Sequence, residues 1–333
     1  MEELKIRAMN IMPGLAFSSA LAVVAIILAQ IVNKYVAISP LILAIVVGMI
    51  FRNTIGLPEV FSQGMQFSLE RVLRIAIILL GLKLSIAEIL QVGSKGLVVV
   101  VVSVALTLAF SIWIGKRFGI SEELATLIGT GVSICGASAA IAVAGVINAR
   151  DRNVAFAIAT VTVFGTAAMF IYPVLASVMG LSSTVYGVWA GASIHEVAQV
   201  VAAGYAVSDE SGNIATIVKL SRVVLLAPVA VILGILFARK SAGGFNLRSV
   251  PVPYFIFGFI AMIFINSMAI IPEQISRMLI QVDNFMLAVA MAAMGLNTSF
   301  RDMREIGITP FYVGFIAWMF IAVISYALVM VLY

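Results

Sequence analysis

The sequence predicts an all-α polytopic membrane protein of about 9–11 transmembrane helices, with inverted repeats and two broken or re-entrant helices. Three observations carry that expectation. Hydrophobic residues make up 63% of the 333-residue chain and charged residues 11%, whereas a soluble protein carries about 25% charged residues. Most of the chain falls into apolar runs of about 16 to 27 residues, the length that crosses a hydrocarbon core ~30 Å thick as a helix. Two of these runs are interrupted by related small-residue phrases, Gly131-Val132-Ser133-Ile134 and Gly191-Ala192-Ser193-Ile194. A closed β-barrel, the other way to span a bilayer, needs strands of about ten residues with alternating polarity. The sequence shows no such alternation.

The charge pattern excludes some functions. The formal net charge is +5, but Lys and Arg are spread through loops without the basic stripe that nucleic-acid binding needs. The single cysteine allows no internal disulfide. At the N-terminus Lys5 and Arg7 precede an apolar run from Ile11 to Val32. That run continues apolar to Val32 and reads as a retained first helix.

In chain order, helix one is expected at 13–32, started by Pro13, and a short helix two at 37–51 with Pro40 in its first turn. Helix three covers 68–85, from Glu70, Arg71 and Arg74 to Gly81-Leu82-Lys83-Leu84-Ser85. Helix four runs over 94–115 and stops at Lys116-Arg117. A first broken segment, 122–148, ends at Arg150-Asp151-Arg152, and helix six follows at 153–179. The second broken segment is 184–207, closed by a polar stretch, Ser208 to Asn213, that reads as a soluble turn. Helices at 214–238, 252–268, 280–296 and 309–332 complete the chain.

Loop charge sets the orientation. With the N-terminus in the cytoplasm, Arg52, Arg71, Arg74, Lys116, Arg117, Arg239, Lys240, Arg248, Arg301 and Arg304 all fall inside. Arg150 and Arg152 fall outside if 122–148 crosses fully, and inside if it re-enters. Opposed re-entrant elements at 122–148 and 184–207 are therefore favoured over two crossing broken helices.

An internal repeat supports this. Met49 to Asn53 match Met262 to Asn266, Pro58-Glu59 match Pro272-Glu273, Gly81 to Ser85 match Gly295 to Ser299, and Gly93 falls opposite Gly307. Inverted repeats with unwound segments in corresponding positions point to a secondary transporter with a midplane site.

The candidate site residues cluster at the breaks. Thr130, Ser133, Cys135, Gly136 and Ser138 surround the first. A helix restarting there aims N–H groups and a positive dipole end at the gap, which suits an anion. Close helix packing is the plainer use of such small residues. The second break holds Ser193, the only histidine, His195, and Glu196, with Gln199 one turn on. His-Glu-Val-Ala-Gln lacks the second histidine of the zinc-protease motif, so no metal is expected. Ionisable groups within a membrane segment are functional candidates by default, and His195 and Glu196 suit proton coupling. Lys219 and Arg222 lie on one helical face, and a guanidinium suits an oxyanion. Lys219 could instead snorkel, and Arg222 could pair with Glu196. Asn297 is either a site residue or part of a plain helix stop.

Ser133-Ile-Cys-Gly-Ala-Ser-Ala-Ala-Ile-Ala, Gly191-Ala-Ser-Ile-His-Glu-Val-Ala-Gln and Lys219-Leu-Ser-Arg222 together resemble the YeiH-like family of bacterial membrane proteins, which carries a sulfate-exporter label. The family is grouped with cation:proton antiporters and anion transporters. The resemblance implies a core domain with paired broken helices that moves against a scaffold domain, in an elevator-type mechanism. The apparent order of the repeat units is permuted relative to a simple five-plus-five duplication.

The expectation is one transport unit over 1–333. Residues 68–240, with 280–300, hold core elements around the breaks at 129–138 and 191–199, and 1–67 and 250–333 contribute scaffold. Function is then secondary active transport of a small anion (sulfate, sulfite or an organosulfonate) in the inner or plasma membrane. Substrate would meet Ser133, Cys135, Gly136, Ser138, Ser193, Lys219, Arg222 and Asn297. His195, Glu196 and Gln199 would couple H+ or Na+. No cofactor and no nucleotide-binding loop are expected. The partners are a small anion and the lipid bilayer, with no nucleic acid and a homodimer left open. A membrane-embedded hydrolase using Ser133 or Cys135 with His195 is the alternative, and a passive anion channel the third.

Overall fold

The computed structural model describes residues 2–32, 39–84, 86–241, 254–299, 301 and 308–333. Ser85, Arg248, Arg304 and Gly307 lie outside the described residues. The described residues are mostly helical, with no strand among them. Among the described residues six helices are long and apolar enough to cross a membrane, and Pro40–Thr54, Ala137–Ile147 and Phe255–Ser267 are shorter apolar helices. The protein is an all-α polytopic membrane protein.

The elements are α1 (Glu2–Val32), α2 (Pro40–Thr54), α3 (62–83) and α4 (Ile86–Arg117). Next come α5 (Glu122–Thr130), a π-turn at Gly131–Cys135, α6 (Ala137–Ile147) and α7 (Asp151–Val178). After α8 (Ser183–Ser193) and α9 (Val197–Tyr205) follow α10 (Asp209–Val224), α11 (Leu226–Ser241), α12 (Phe255–Ser267), α13 (Glu273–Asn297) and α14 (Ile308–Leu332). Two compact units result, one of Met1–Glu88 with Tyr254–Arg301, the other of Ile89–Pro253 with Asp302–Tyr333.

Several element ends differ from the sequence expectation. Helix α1 runs back to Glu2, so Pro13 is internal rather than a start. Membrane helices tolerate this because neighbouring groups re-satisfy the backbone that proline frees. The polar stretch at 208–213 is not a free turn. Ser208 caps α10 through a reciprocal bond with Ser211, and Asp209 and Glu210 form its first turn. Gly93, with φ 48° and ψ −153°, kinks α4.

In the first unit the repeat is expressed as reciprocal packing. A side chain at Gly295 would lie against the Ile45 carbonyl, the Met49 N–H and the Cα of Gly48, so α2 and α13 touch backbone to backbone. Gly81 closes in the same way on the Phe259 carbonyl and the Ile263 N–H of α12. Two amides repeat the relation: Asn53 Nδ2 donates to the Thr298 carbonyl at 2.9 Å, and Asn266 Nδ2 donates to the Leu84 carbonyl at 2.9 Å. The short first helix of each repeat thus packs on the second helix of the other.

In the second unit both broken segments turn back on themselves. Glu123 Oε1, at the start of α5, accepts from the Arg150 N–H at 2.5 Å and from Asn153 Nδ2 at 2.9 Å, at the start of α7. Segment 122–148 therefore ends where it began. Thr184 Oγ1 lies 3.1 Å from Glu210 Oε1, and Ser208 Oγ lies 3.0 Å from Ser183 Oγ, so 183–207 also returns to its entrance. Tyr186 OH reaches across the second hairpin to the Ala203 carbonyl at 2.9 Å. Helix α7, 28 residues and hence ~42 Å at 1.5 Å per residue, separates the two entrances. The hairpins accordingly enter from opposite faces.

Candidate functional site at the hairpin tips

The first tip is made by the π-turn Gly131–Cys135 followed by Gly136, whose φ of 71° and ψ of −138° stop one helix and let the next begin. A β-carbon would be strained in that conformation. The second tip is the extended stretch from Ile194 (φ −66°, ψ 144°) to Glu196 (φ −105°, ψ 151°). Each tip leaves backbone carbonyls that a membrane interior cannot solvate.

Lys219 and Arg222 answer that need. Both side chains are fully buried. Lys219 Nζ donates to the carbonyls of Ile134 at 2.7 Å, Ile194 at 2.8 Å and His195. Arg222 donates through Nε to Ser133 (2.9 Å), through Nη1 to Gly191 (3.0 Å) and Ile194 (2.9 Å), and through Nη2 to Val132 (2.8 Å). Six carbonyls from two hairpins thus meet two cations of one helix. These carbonyls end α5 and α8, where the helix dipole is negative and a cation is favourable. Lys219 lies ten residues into α10, roughly 15 Å from its start, so the tips meet deep inside the unit. Lys219 points inward to the tips and does not snorkel.

Glu196 turns to the opposite helix end. Its carboxylate lies against Gly136, the N-cap of α6. A side chain on Gly136 would overlap Glu196 Cγ and stand 3.2 Å from both Cδ and Oε1. Gly136 is thus the floor on which Glu196 rests. Glu196 also caps its own helix α9 in a reciprocal box with Gln199. Gln199 Oε1 accepts from the Glu196 N–H at 3.1 Å, and its Nε2 donates to Thr166 Oγ1 at 3.4 Å. Gly165 on α7 is what admits the Gln199 amide, since a Cβ there would overlap it.

Other expected residues fall into place differently. Ser193 is buried with its hydroxyl on the Trp189 carbonyl at 2.5 Å. Ser133 Oγ and both ring nitrogens of His195 are buried without a hydrogen-bond partner. Cys135 is buried and reduced, Ser138 is exposed on the first turn of α6, and Asn297 is an exposed residue of the other unit. Among the described residues no group of His, Cys, Asp or Glu could hold a metal ion.

The structure adds residues the sequence did not single out. Thr166 and Gly165 position Gln199. The Gly165-Thr166 pair is one of several small or hydroxyl positions along α7, with Thr160 and Thr162, and its spacing alone does not mark it. Tyr172 stacks on Trp189 with ring centroids 4.3 Å apart, and Trp189 Nε1 donates to the Ala322 carbonyl at 2.9 Å. The Tyr172 hydroxyl and Trp318 Nε1 are also buried without a partner. Nothing in their spacing marks them.

Comparison with known proteins finds membrane proteins. The family model "Conserved hypothetical protein 698" matches residues 13–314. A UPF0324 membrane protein of Bacillus cereus is 37% identical over 325 residues, 95% of each chain. The UPF0324 inner membrane protein YeiH of Escherichia coli K12 is 36% identical over 322 residues, 94% of this chain and 92% of its own. YeiH of Salmonella typhimurium is 37% identical over the same length. No solved structure matches. With the model covering nearly the whole chain and relatives this similar end to end, the chain belongs to the UPF0324, YeiH-like family of membrane proteins.

Proposed function

We propose that this protein is a secondary transporter of a small anion, of the sulfate, sulfite or organosulfonate kind, in the inner or plasma membrane. The unit that carries both hairpins is the carrier, and the proton is the coupling ion. One observation carries the reading: the Glu196 carboxylate packs against Gly136, the N-cap of α6, at tips that also hold the buried cations Lys219 and Arg222.

A charge count points the same way. Lys219 and Arg222 supply two positive charges and Glu196, when ionised, one negative. Each of the two carbonyl-rich helix ends adds about −0.5 and each of the two N-terminal ends about +0.5. The balance is about +1, and a buried unpaired charge is costly in a membrane. With Glu196 protonated the balance rises to about +2, which a sulfate or sulfite dianion offsets and an organosulfonate halves.

A sodium ion fits less well. The tip carbonyls that could coordinate it accept from Lys219 and Arg222 instead. The hydrolytic alternative requires Ser133 or Cys135 on His195. In this conformation neither ring nitrogen of His195 has a hydrogen-bond partner. The elevator-type movement comes from the family resemblance.

The test is flux into proteoliposomes of sulfate, sulfite, isethionate, acetate and chloride, with and without a pH gradient. Uptake of one of these, accelerated by the gradient, is expected. Hydrolysis of an ester or peptide without anion flux would replace transport by the enzyme reading. Flux that is equally fast in either gradient and does not saturate would indicate a channel.

A further inference from the structure

Glu196 stands where a substrate anion would bind. Helix α6 has 11 residues, and its N-cap, Gly136, offers it no side-chain cap. A helix end of this kind takes an anion, and here the anion is a side chain from the tip of the other hairpin. The seat is tightly formed, because Glu196 packs directly over Gly136. The same two tips hold polar groups that have no partner: Ser133 Oγ and both nitrogens of His195, all fully buried. Such groups cost free energy unless something else satisfies them. A seat filled by a tethered carboxylate, at tips that also hold unpartnered polar groups, is built for more than one occupant.

We propose that the Glu196 carboxylate is a tethered competitor for the transported anion. Ionised, it fills the seat on α6. Protonated, it loses its claim on the helix dipole and yields the seat to the free anion, which then takes the Ala137 end of α6 and the Ser133 hydroxyl. The proton stays on Glu196 while the anion is bound, so the two move together. The proposal rests on the transport reading above and specifies its coupling. The charged and titratable groups that face Glu196 are Lys219 from α10 and Cys135 from the first tip. His195 is its neighbour in sequence, and Arg222 lies one turn beyond Lys219. Lys219 holds three carbonyls and stays in place whichever anion is seated.

The experiment uses the full-length protein in detergent and isethionate, whose charge does not change between pH 6 and 8.5. Calorimetric titration of the wild type should show affinity falling with pH, approaching tenfold per unit, as the uptake of a single linked proton requires. Glu196→Gln removes the competitor's charge. It should bind isethionate with an affinity that no longer depends on pH and is at least as tight as that of the wild type at pH 6. Loss of binding in Glu196→Gln would make Glu196 a required contact and overturn the proposal. Retention of the wild-type pH slope would overturn it as well. If Glu196→Gln does not fold, Glu196→Asp decides. Its shorter reach should raise affinity at pH 8.5 and keep a slope, and weaker binding would overturn the proposal. If the wild type binds neither isethionate, sulfate, acetate nor chloride at any pH, the transport reading itself falls.

Discussion

The Arg222 guanidinium and the Ser133 backbone carbonyl, 89 positions apart in sequence, are joined at 2.9 Å from Nε to oxygen. This bond belongs to a keystone in which one side chain secures both hairpin tips. Four of the five N–H donors of Arg222 end on backbone carbonyls. The sequence points this guanidinium at a substrate anion or at Glu196, and in the structure four of its donors are taken up by the tip carbonyls.

Arg222→Ala should therefore lower thermal stability before it alters transport. It leaves the carbonyls of Val132, Ser133 and Gly191 without their donor, while Ile194 keeps Lys219. Each buried unpaired group costs about 1–3 kcal/mol, so a loss of roughly 3 kcal/mol or more is expected. Arg222→Lys should recover only part, because an ammonium cannot reproduce the planar fork. Thermal unfolding of the purified variants measures this. An Arg222→Ala protein that melts with the wild type and merely stops binding anions would return the residue to the substrate.

The glycines of the first unit predict a second pattern. Gly295→Ala should destabilise strongly, since its methyl group would be driven into the Ile45 carbonyl and the Met49 N–H. Gly81→Ala meets the corresponding backbone, the Phe259 carbonyl and the Ile263 N–H, and should behave alike. Gly145 in α6 has nothing within 4 Å of such a methyl. Gly145→Ala should be neutral or stabilising by up to about 1 kcal/mol, from helix propensity alone. Equal effects at Gly295 and Gly145 would remove the reciprocal contact from the account of the fold.

Much of this was legible because the membrane narrows the options. Apolar run lengths located nearly every span, and the matches of Asn53 with Asn266 and of Gly81 with Gly295 fell on residues that make equivalent contacts. The Gly-x-Ser-Ile phrases located both tips. What the sequence could not supply was pairing. Lys219 and Arg222 were recognised as buried cations, but their partners are carbonyls, and backbone acceptors have no letter in a sequence. Thr166, Gly165 and Tyr172 act through packing across helices, which spacing along one helix does not reveal.

The first unit carries its own buried ion pair. Asp283, fully buried on α13, lies 3.1 Å from Lys83 Nζ, which also donates to Asn284 Oδ1 at 2.6 Å. Lys83→Met should destabilise by roughly 3 kcal/mol, the low end for breaking a buried pair, because the lysine is partly exposed. Adding Asp283→Asn should restore most of that loss by removing the stranded charge. Thermal unfolding of the two single variants and the double variant closes the cycle. Additive losses would mean that the two groups act separately.

The two hairpins predict an accessibility pattern that ordinary crossing helices cannot produce. In a Cys135→Ser background, cysteines replacing Lys116 and Arg152 flank the first hairpin. Cysteines replacing Ser182 and Asp209 flank the second. Glu123 ties the start of α5 to the start of α7, and Ser183 meets Ser208. Each flanking pair must therefore react with a membrane-impermeant maleimide from one side. The α7 span lies between the pairs, so their sides must be opposite. Two crossing helices would split each pair, because 122–148 would carry the chain from one face to the other. With the N-terminus inside, as loop charge favours, Lys116 and Arg152 react only in inside-out vesicles. Ser182 and Asp209 react only in intact cells. Reaction of Lys116 and Arg152 from opposite sides would turn the first hairpin into a crossing helix. The seat that Glu196 fills would then need rebuilding from a different meeting of the tips.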